Sequence, residues 1–416
     1  MSSVRRQLIS GRFIISLANP ILIYCLIWGT ALFLYNLELT SNILGLNIST
    51  IFLVGSSILS FFIAYFIRSF LIMSVNGFKI NIKNNNFYNF NSLSKLNFFK
   101  KIIKKLFVIW AIFTLIEIII FKGVPLISVV VLGQYDLDYA AFGLPTLHGL
   151  MNSLYLSITC SVFILYQVTK NKKYFYIVLI FFSWPILVMS RALMIWTLIE
   201  LFSIYFLFNL INLKKIFGLI SIIFFVIFLF GYIGDNRGTT KEIGAERFTD
   251  SFVKSEYRPI TDKIPSGFIW VYLYVTTPLN NVVWNIENIK PEYNFKYTFR
   301  ALLPSVIRDD SNKSGGSSYS LELVEEAFNV SSYYANYLKD FGVLGASIII
   351  FFLQFFILFI YKSAKEFKIG GLIAYATIFN SIVMSIFFDY FFSLVTIFQV
   401  LLGLFINYLL YKKSYV

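Results

Sequence analysis

The sequence predicts an all-α integral membrane protein of about ten transmembrane helices, with both termini on one side and one large loop on the other. Three observations carry this. Mean hydropathy is +0.75, 58% of the 416 residues are hydrophobic and only 13% are charged, about half the charged share of an ordinary soluble domain. Apolar runs long enough to cross a bilayer recur along the whole chain. The net charge of +14 is gathered into short basic clusters between those runs, which also argues against nucleic acid as a partner.

The chain opens with Arg5, Arg6 and Arg12 before an apolar stretch. That stretch is too long for a signal-peptide core and lacks a small-residue cleavage site, so it is expected to remain as the first span. Spans are expected near 14–37, 49–74, 106–121, 148–169, 174–190, 191–211 and 215–234. Three more follow near 341–361, 369–388 and 390–411, with 106–121 the shortest of the ten. Domain organisation follows: seven spans in 1–234, a large loop in 235–340, and three spans in 341–416. With the N-terminus inside, most Lys and Arg residues fall on the inner side beside a single acid, Glu366, as the positive-inside rule requires.

One apolar segment, Gly267–Ile286, is long enough to span but would invert that parity, and Pro278, Asn280 and Asn281 within it are costly in lipid. It is expected to be an interfacial or re-entrant helix of the outer loop, with Val124–Gly133 a second such element. Asp309–Ser320 is the loop's flexible part by its Gly/Ser content. The two cysteines, Cys25 and Cys160, lie far apart within apolar runs and form no disulfide framework.

Basic residues on the outer side carry the functional argument, because the positive-inside rule gives no reason for them there. Arg191 stands at an outer turn between two spans. It is either an interfacial Arg reaching lipid phosphates or an anion-binding group at the mouth of a cavity. Arg237 follows the seventh span in GDNRG beside Asp235, and Arg247, Arg258, Arg300 and Arg308 lie further along the loop. A guanidinium fork suits phosphate and pyrophosphate oxygens. Glu117, Glu200 and Asp389 fall in expected spans or at the junction of two, as cavity lining or partners of the arginines. Asp340 stands at the start of the eighth span, to cap that helix or to accept a proton from a sugar hydroxyl. His148 is the one histidine, which makes neither a metal site nor a Ser/His triad. No Walker or GxGxxG motif opens a cytosolic helix, so neither nucleotide nor metal is expected as cofactor.

Several local features then resemble the Wzy-type O-antigen (oligosaccharide repeat-unit) polymerases and, more distantly, the O-antigen ligases. These are Ser190-Arg191 opening a mid-chain span, Arg237-Gly238 after a later one, YLYVTTPLNNVVW in the loop, and YYANYLKDFGVLG at the loop-to-span junction. The span count, orientation and pre-terminal loop are similar as well. Ligases usually carry a histidine at the last junction, where this chain has Tyr334, a departure that favours polymerase over ligase. The resemblance implies a GT-C-like membrane glycosyltransferase of the bacterial inner membrane. Its substrate would be an undecaprenyl-pyrophosphate-linked oligosaccharide, polymerised at the periplasmic face without metal or nucleotide. A flippase and a chain-length regulator are the partners it implies. On that basis Arg191, Arg237 and Asp340 are the expected catalytic residues. Arg247, Arg258, Arg300, Arg308 and Tyr334 are the expected substrate-binding ones, and Trp270, Tyr272, Tyr274, Tyr333 and Tyr337 are available to stack on sugars, although core packing is the expected use of most. Ligation to lipid A-core is the alternative within this chemistry, and a lipid-linked oligosaccharide flippase or transporter the alternative outside it.

Overall fold

A computed structural model gives the fold. It describes residues 17–75, 93–134, 142–209, 251–304 and 330–412, with scattered positions between 210 and 250 and between 305 and 329. Arg237, Arg247 and Arg308, the expected span 215–234 for most of its length, and Asp309–Ser320 lie outside the described residues. Among the described residues every regular element is helical, apart from one isolated bridge between Thr40 and Val253.

The helices are α1 (Pro20–Tyr35), α2 (Ile48–Val75), α3 (Leu93–Phe121), α4 (Pro125–Val130), α5 (Leu147–Thr169), α6 (Lys172–Leu187) and α7 (Arg191–Phe208). After the undescribed stretch come α8 (Arg258–Thr261), α9 (Ser266–Asn288), α10 (Tyr334–Lys365), α11 (Ile369–Met384) and α12 (Leu394–Lys412). Six stretches are long and apolar enough to cross a membrane, in α2, α3 with α4, α5, α7, α10 and α12, while α1 and α11 are apolar but shorter. The class is therefore an all-α membrane protein with six candidate spanning helices among the described residues.

Local chemistry sets the helix ends. The Asn19 side chain caps α1 by accepting the Ile21 N–H at 3.0 Å, ahead of Pro20 at the first helical position. Lys170 closes α5 in the left-handed region at φ 56°, and Asn171 immediately caps α6. The expected short span 106–121 is a helix beginning at Leu93. Hydropathy hides that extension, because Lys95, Lys100, Lys101, Lys104 and Lys105 continue the helical backbone while breaking the apolar run.

α11 is the hub. All its residues from Ile369 to Ile382 are buried, and it packs against α12, α10, α7, α1 and α5. Sixteen residues at 1.5 Å each reach only about 24 Å, but a helix sheathed by others need not match the lipid by itself. Gly370 and Gly403 bring α11 and α12 into backbone contact, since a Cβ on Gly370 would collide with the Gly403 carbonyl. At the periphery, Ile112, Leu115, Ile119 and Ile120 of α3 are exposed, as a face toward acyl chains would be.

The bundle has two chemically distinct ends. Phe208 meets Phe367 at 5.1 Å between ring centres, and Asn209 Nδ2 donates to Gln167. These contacts place the end of α7, the α5–α6 turn and the α10–α11 turn together. Here Lys362 and Lys368 flank Glu366 and Lys170 reaches Gln167, so this is the basic end. The opposite end gathers the starts of α5, α7, α10 and α12.

α9 covers Gly267–Ile286, and its polar residues are satisfied by protein. Asn280 Oδ1 accepts the Leu44 N–H (2.9 Å) and faces the Tyr35 hydroxyl (2.7 Å), while its Nδ2 donates to Asn42 O. Asn281 donates to Val330 O and accepts the Val324 N–H. The helix thus grips the α1–α2 connection and the approach to α10, opposite the basic end.

Candidate functional site

The turn between α11 and α12, residues 385–393, organises the end opposite the basic one. Ser385 and Phe387 carbonyls accept the Tyr333 and Ser332 N–H groups, fixing the start of α10. Trp28 Nε1 donates to Ser385 Oγ at 3.1 Å. Trp196 of α7 meets Tyr390 edge-on at 4.8 Å, and Phe299 meets Phe392 at 5.2 Å. Asp389, at the junction of the last two expected spans, lies in this turn. Its Oδ1 accepts the Phe391 N–H at 2.9 Å, the Tyr337 hydroxyl lies beside it, and burial pushes its carboxyl up to about 7.

The expected site residues occupy separate places around this hub. Arg191 is the first residue of α7, where Ser190 Oγ caps the helix and Met189 turns the chain at φ 56°. It is exposed and makes no hydrogen bond or ion pair with the described residues. Arg258 is exposed at the start of α8, and Arg300 opens a short 3-10 turn.

Asp340 is fully buried, two residues before Gly342, where α10 kinks through a non-helical conformation (φ 64°, ψ -171°); its oxygens do not cap the helix that follows but serve another segment. Its Oδ1 accepts the Tyr297 N–H at 3.1 Å and its Oδ2 the Thr298 N–H at 2.7 Å. The carboxylate therefore pins the 290–300 segment to α10. Tyr297 in turn donates to Glu292 Oε1 at 2.8 Å, with Lys339 Nζ 4.1 Å from its ring centre. Burial and the Glu292 carboxylate push the Tyr297 hydroxyl up to about 12, while the hydrogen bonds from Tyr297 and Asn294 hold Glu292 below the usual range.

Tyr334 is fully buried in a hydroxyl cluster. Tyr24 bridges Tyr333 (2.6 Å) and Tyr334 (3.0 Å), and Trp28 packs on Tyr334 with ring centres 4.6 Å apart. Tyr272, Tyr333, Tyr334 and Tyr337 are all buried, so packing, as opposed to sugar stacking, is what these rings do. Glu200, midway along α7, accepts from Gln399 Nε2 at 2.7 Å and from the Cys160 thiol at 3.2 Å. Both cysteines are free. Among the described residues no group of three or more His, Cys, Asp or Glu is arranged to hold a metal.

Sequence reasoning missed one pairing. Glu117, near the end of α3, meets His148, in the first turn of α5, with Oε2 3.2 Å from Nδ1. Their separation of 31 positions gives no local pattern to read.

The fold and this end of the bundle define a polytopic helical membrane protein with a polar, aromatic-rich end opposite the basic one. Comparison with family models, curated proteins and solved structures returns no match for this chain.

Proposed function

We propose that this chain is a bacterial inner-membrane glycosyltransferase of the repeat-unit polymerase type. It would cross the membrane about ten times, with the basic end cytoplasmic and the opposite end, with the 235–340 loop, periplasmic. In this reading it transfers a growing glycan from one undecaprenyl pyrophosphate to the next lipid-linked repeat unit. The energy resides in the glycosyl–pyrophosphate bond, so no nucleotide is consumed.

Arg191 is the observation that carries the proposal. A guanidinium at the end of the bundle opposite the basic one, exposed and with no protein partner among the described residues, suits a ligand with anionic oxygens. As the C1–O bond breaks, negative charge grows on the departing diphosphate, and a cation already in place stabilises it without reorganising. Tyr334 stands where ligases carry a histidine, which favours polymerisation over ligation.

Reconstitution tests this directly. The purified chain in lipid vesicles, given a lipid-pyrophosphate-linked oligosaccharide, is expected to yield a ladder of products spaced by one repeat unit. Movement of the lipid-linked sugar across the bilayer with no product longer than one repeat would identify a flippase instead.

A further inference from the structure

We infer that His148, held by Glu117, is the proton acceptor for the attacking sugar hydroxyl; this rests on the glycosyl-transfer reading. The argument begins with the pair's construction. Glu117 is 2% exposed, and both its oxygens are committed: Oε1 accepts the Leu144 N–H at 3.1 Å and Oε2 faces His148 Nδ1. A carboxylate only accepts, so Nδ1 carries the hydrogen and the lone pair of the neutral ring is on Nε2. Nε2 makes no hydrogen bond with the described residues and is not among the occluded polar atoms.

The surroundings fix the ring. Phe142 meets the imidazole edge-on, with ring centres 5.5 Å apart at 90°. Gly143 passes beneath it at φ 103°, where any Cβ would collide with the imidazole. The His148 side chain keeps 27% of its surface open. Among the described residues one ring nitrogen is left open while the other is held by a buried carboxylate, an arrangement suited to taking up a proton.

The pair stands at the same end of the bundle as Arg191. Phe142 also packs on Trp184 at 6.2 Å, and with Val188 and Leu193 these form one cluster around the α6–α7 turn that presents Arg191. In the step so defined, the acceptor O–H bond breaks and its proton moves to Nε2. The oxygen's electron pair forms the new bond to the donor's anomeric carbon. The old C1–O bond breaks, and its electrons leave on the lipid diphosphate. Glu117 is a positioning residue that also stabilises the imidazolium, which returns its proton to water after the product leaves.

Because the chain has a single histidine, its imidazole nitrogens are observed alone after 15N-histidine labelling. At pH 8 without substrate, the spectrum is expected to show a neutral ring protonated at Nδ1, and Glu117→Gln to weaken that preference. A ring protonated at Nε2, or an imidazolium persisting at pH 9, would overturn the inference whatever the enzyme makes. In the vesicle assay His148→Ala is expected to slow joining by about 100- to 1,000-fold, with the KM for acceptor changed less than about threefold. Added imidazole should restore at least about tenfold of the loss. An unchanged rate, or a loss imidazole does not relieve, contradicts the assignment, whereas a wild type that joins nothing sinks the polymerase reading itself.

Discussion

Arg191→Ala is expected to lower the rate of repeat-unit joining by about 100- to 1,000-fold, the usual effect of removing one preorganised charge-stabilising donor. The corresponding barrier is about 3–4 kcal/mol. Stability should barely change, because the side chain is exposed and holds no described residue; substitutions of that kind stay within about 0.5 kcal/mol. Arg191→Lys should recover only part of the rate, since a point charge replaces a planar fork that binds two phosphate oxygens at once. The initial rate of ladder formation and the thermal midpoint, measured on the same preparation, check both halves. A full rate in Arg191→Ala would leave this residue as a lipid-headgroup anchor.

Asp340→Ala should do the reverse, damaging the fold first. Two buried backbone N–H groups, those of Tyr297 and Thr298, lose their acceptor. Each buried amide left unpaired costs about 1–3 kcal/mol, so the loss is about 4 kcal/mol. Asp340→Asn keeps one acceptor oxygen and should lose about half of that. The 290–300 segment, released from α10, should become the first site of limited proteolysis. If Asp340→Asn instead keeps its denaturation midpoint and loses only turnover, the carboxylate serves chemistry and not the anchoring described above.

The contrast between these residues shows what the sequence can and cannot say. Apolar runs identify helices wherever the whole segment is apolar, so α2, α5 and α12 lie within a few residues of their expected bounds. They mislead where a helix continues through lysines, as α3 does from Leu93, while the expected start near 341 falls at the Gly342 kink of α10. The parity argument kept Gly267–Ile286 out of the span count, and α9 meets its Asn280 and Asn281 with backbone partners from distant segments. Site residues were legible only as types. An arginine expected on the outer side under the positive-inside rule is visible in one dimension, and Arg191 is exposed at the start of α7. An aspartate that serves distant amides is not visible, because Asp340 and its partners are more than 40 positions apart. The same holds for Glu117 and His148, which the α3–α4 bend and the entry to α5 bring together.

Everything proposed for Arg191 requires its end of the bundle to face outward. The direct measurement is labelling of intact spheroplasts with a membrane-impermeant maleimide, in a chain carrying Cys25→Ser, Cys160→Ala and one new cysteine. Ala192→Cys, beside Arg191 on the exposed start of α7, is expected to react at once from outside. Lys172→Cys, at the basic end, should react only after permeabilisation. Labelling in the opposite sense would put the arginine on the cytoplasmic face, where no periplasmic transfer of glycan can use it.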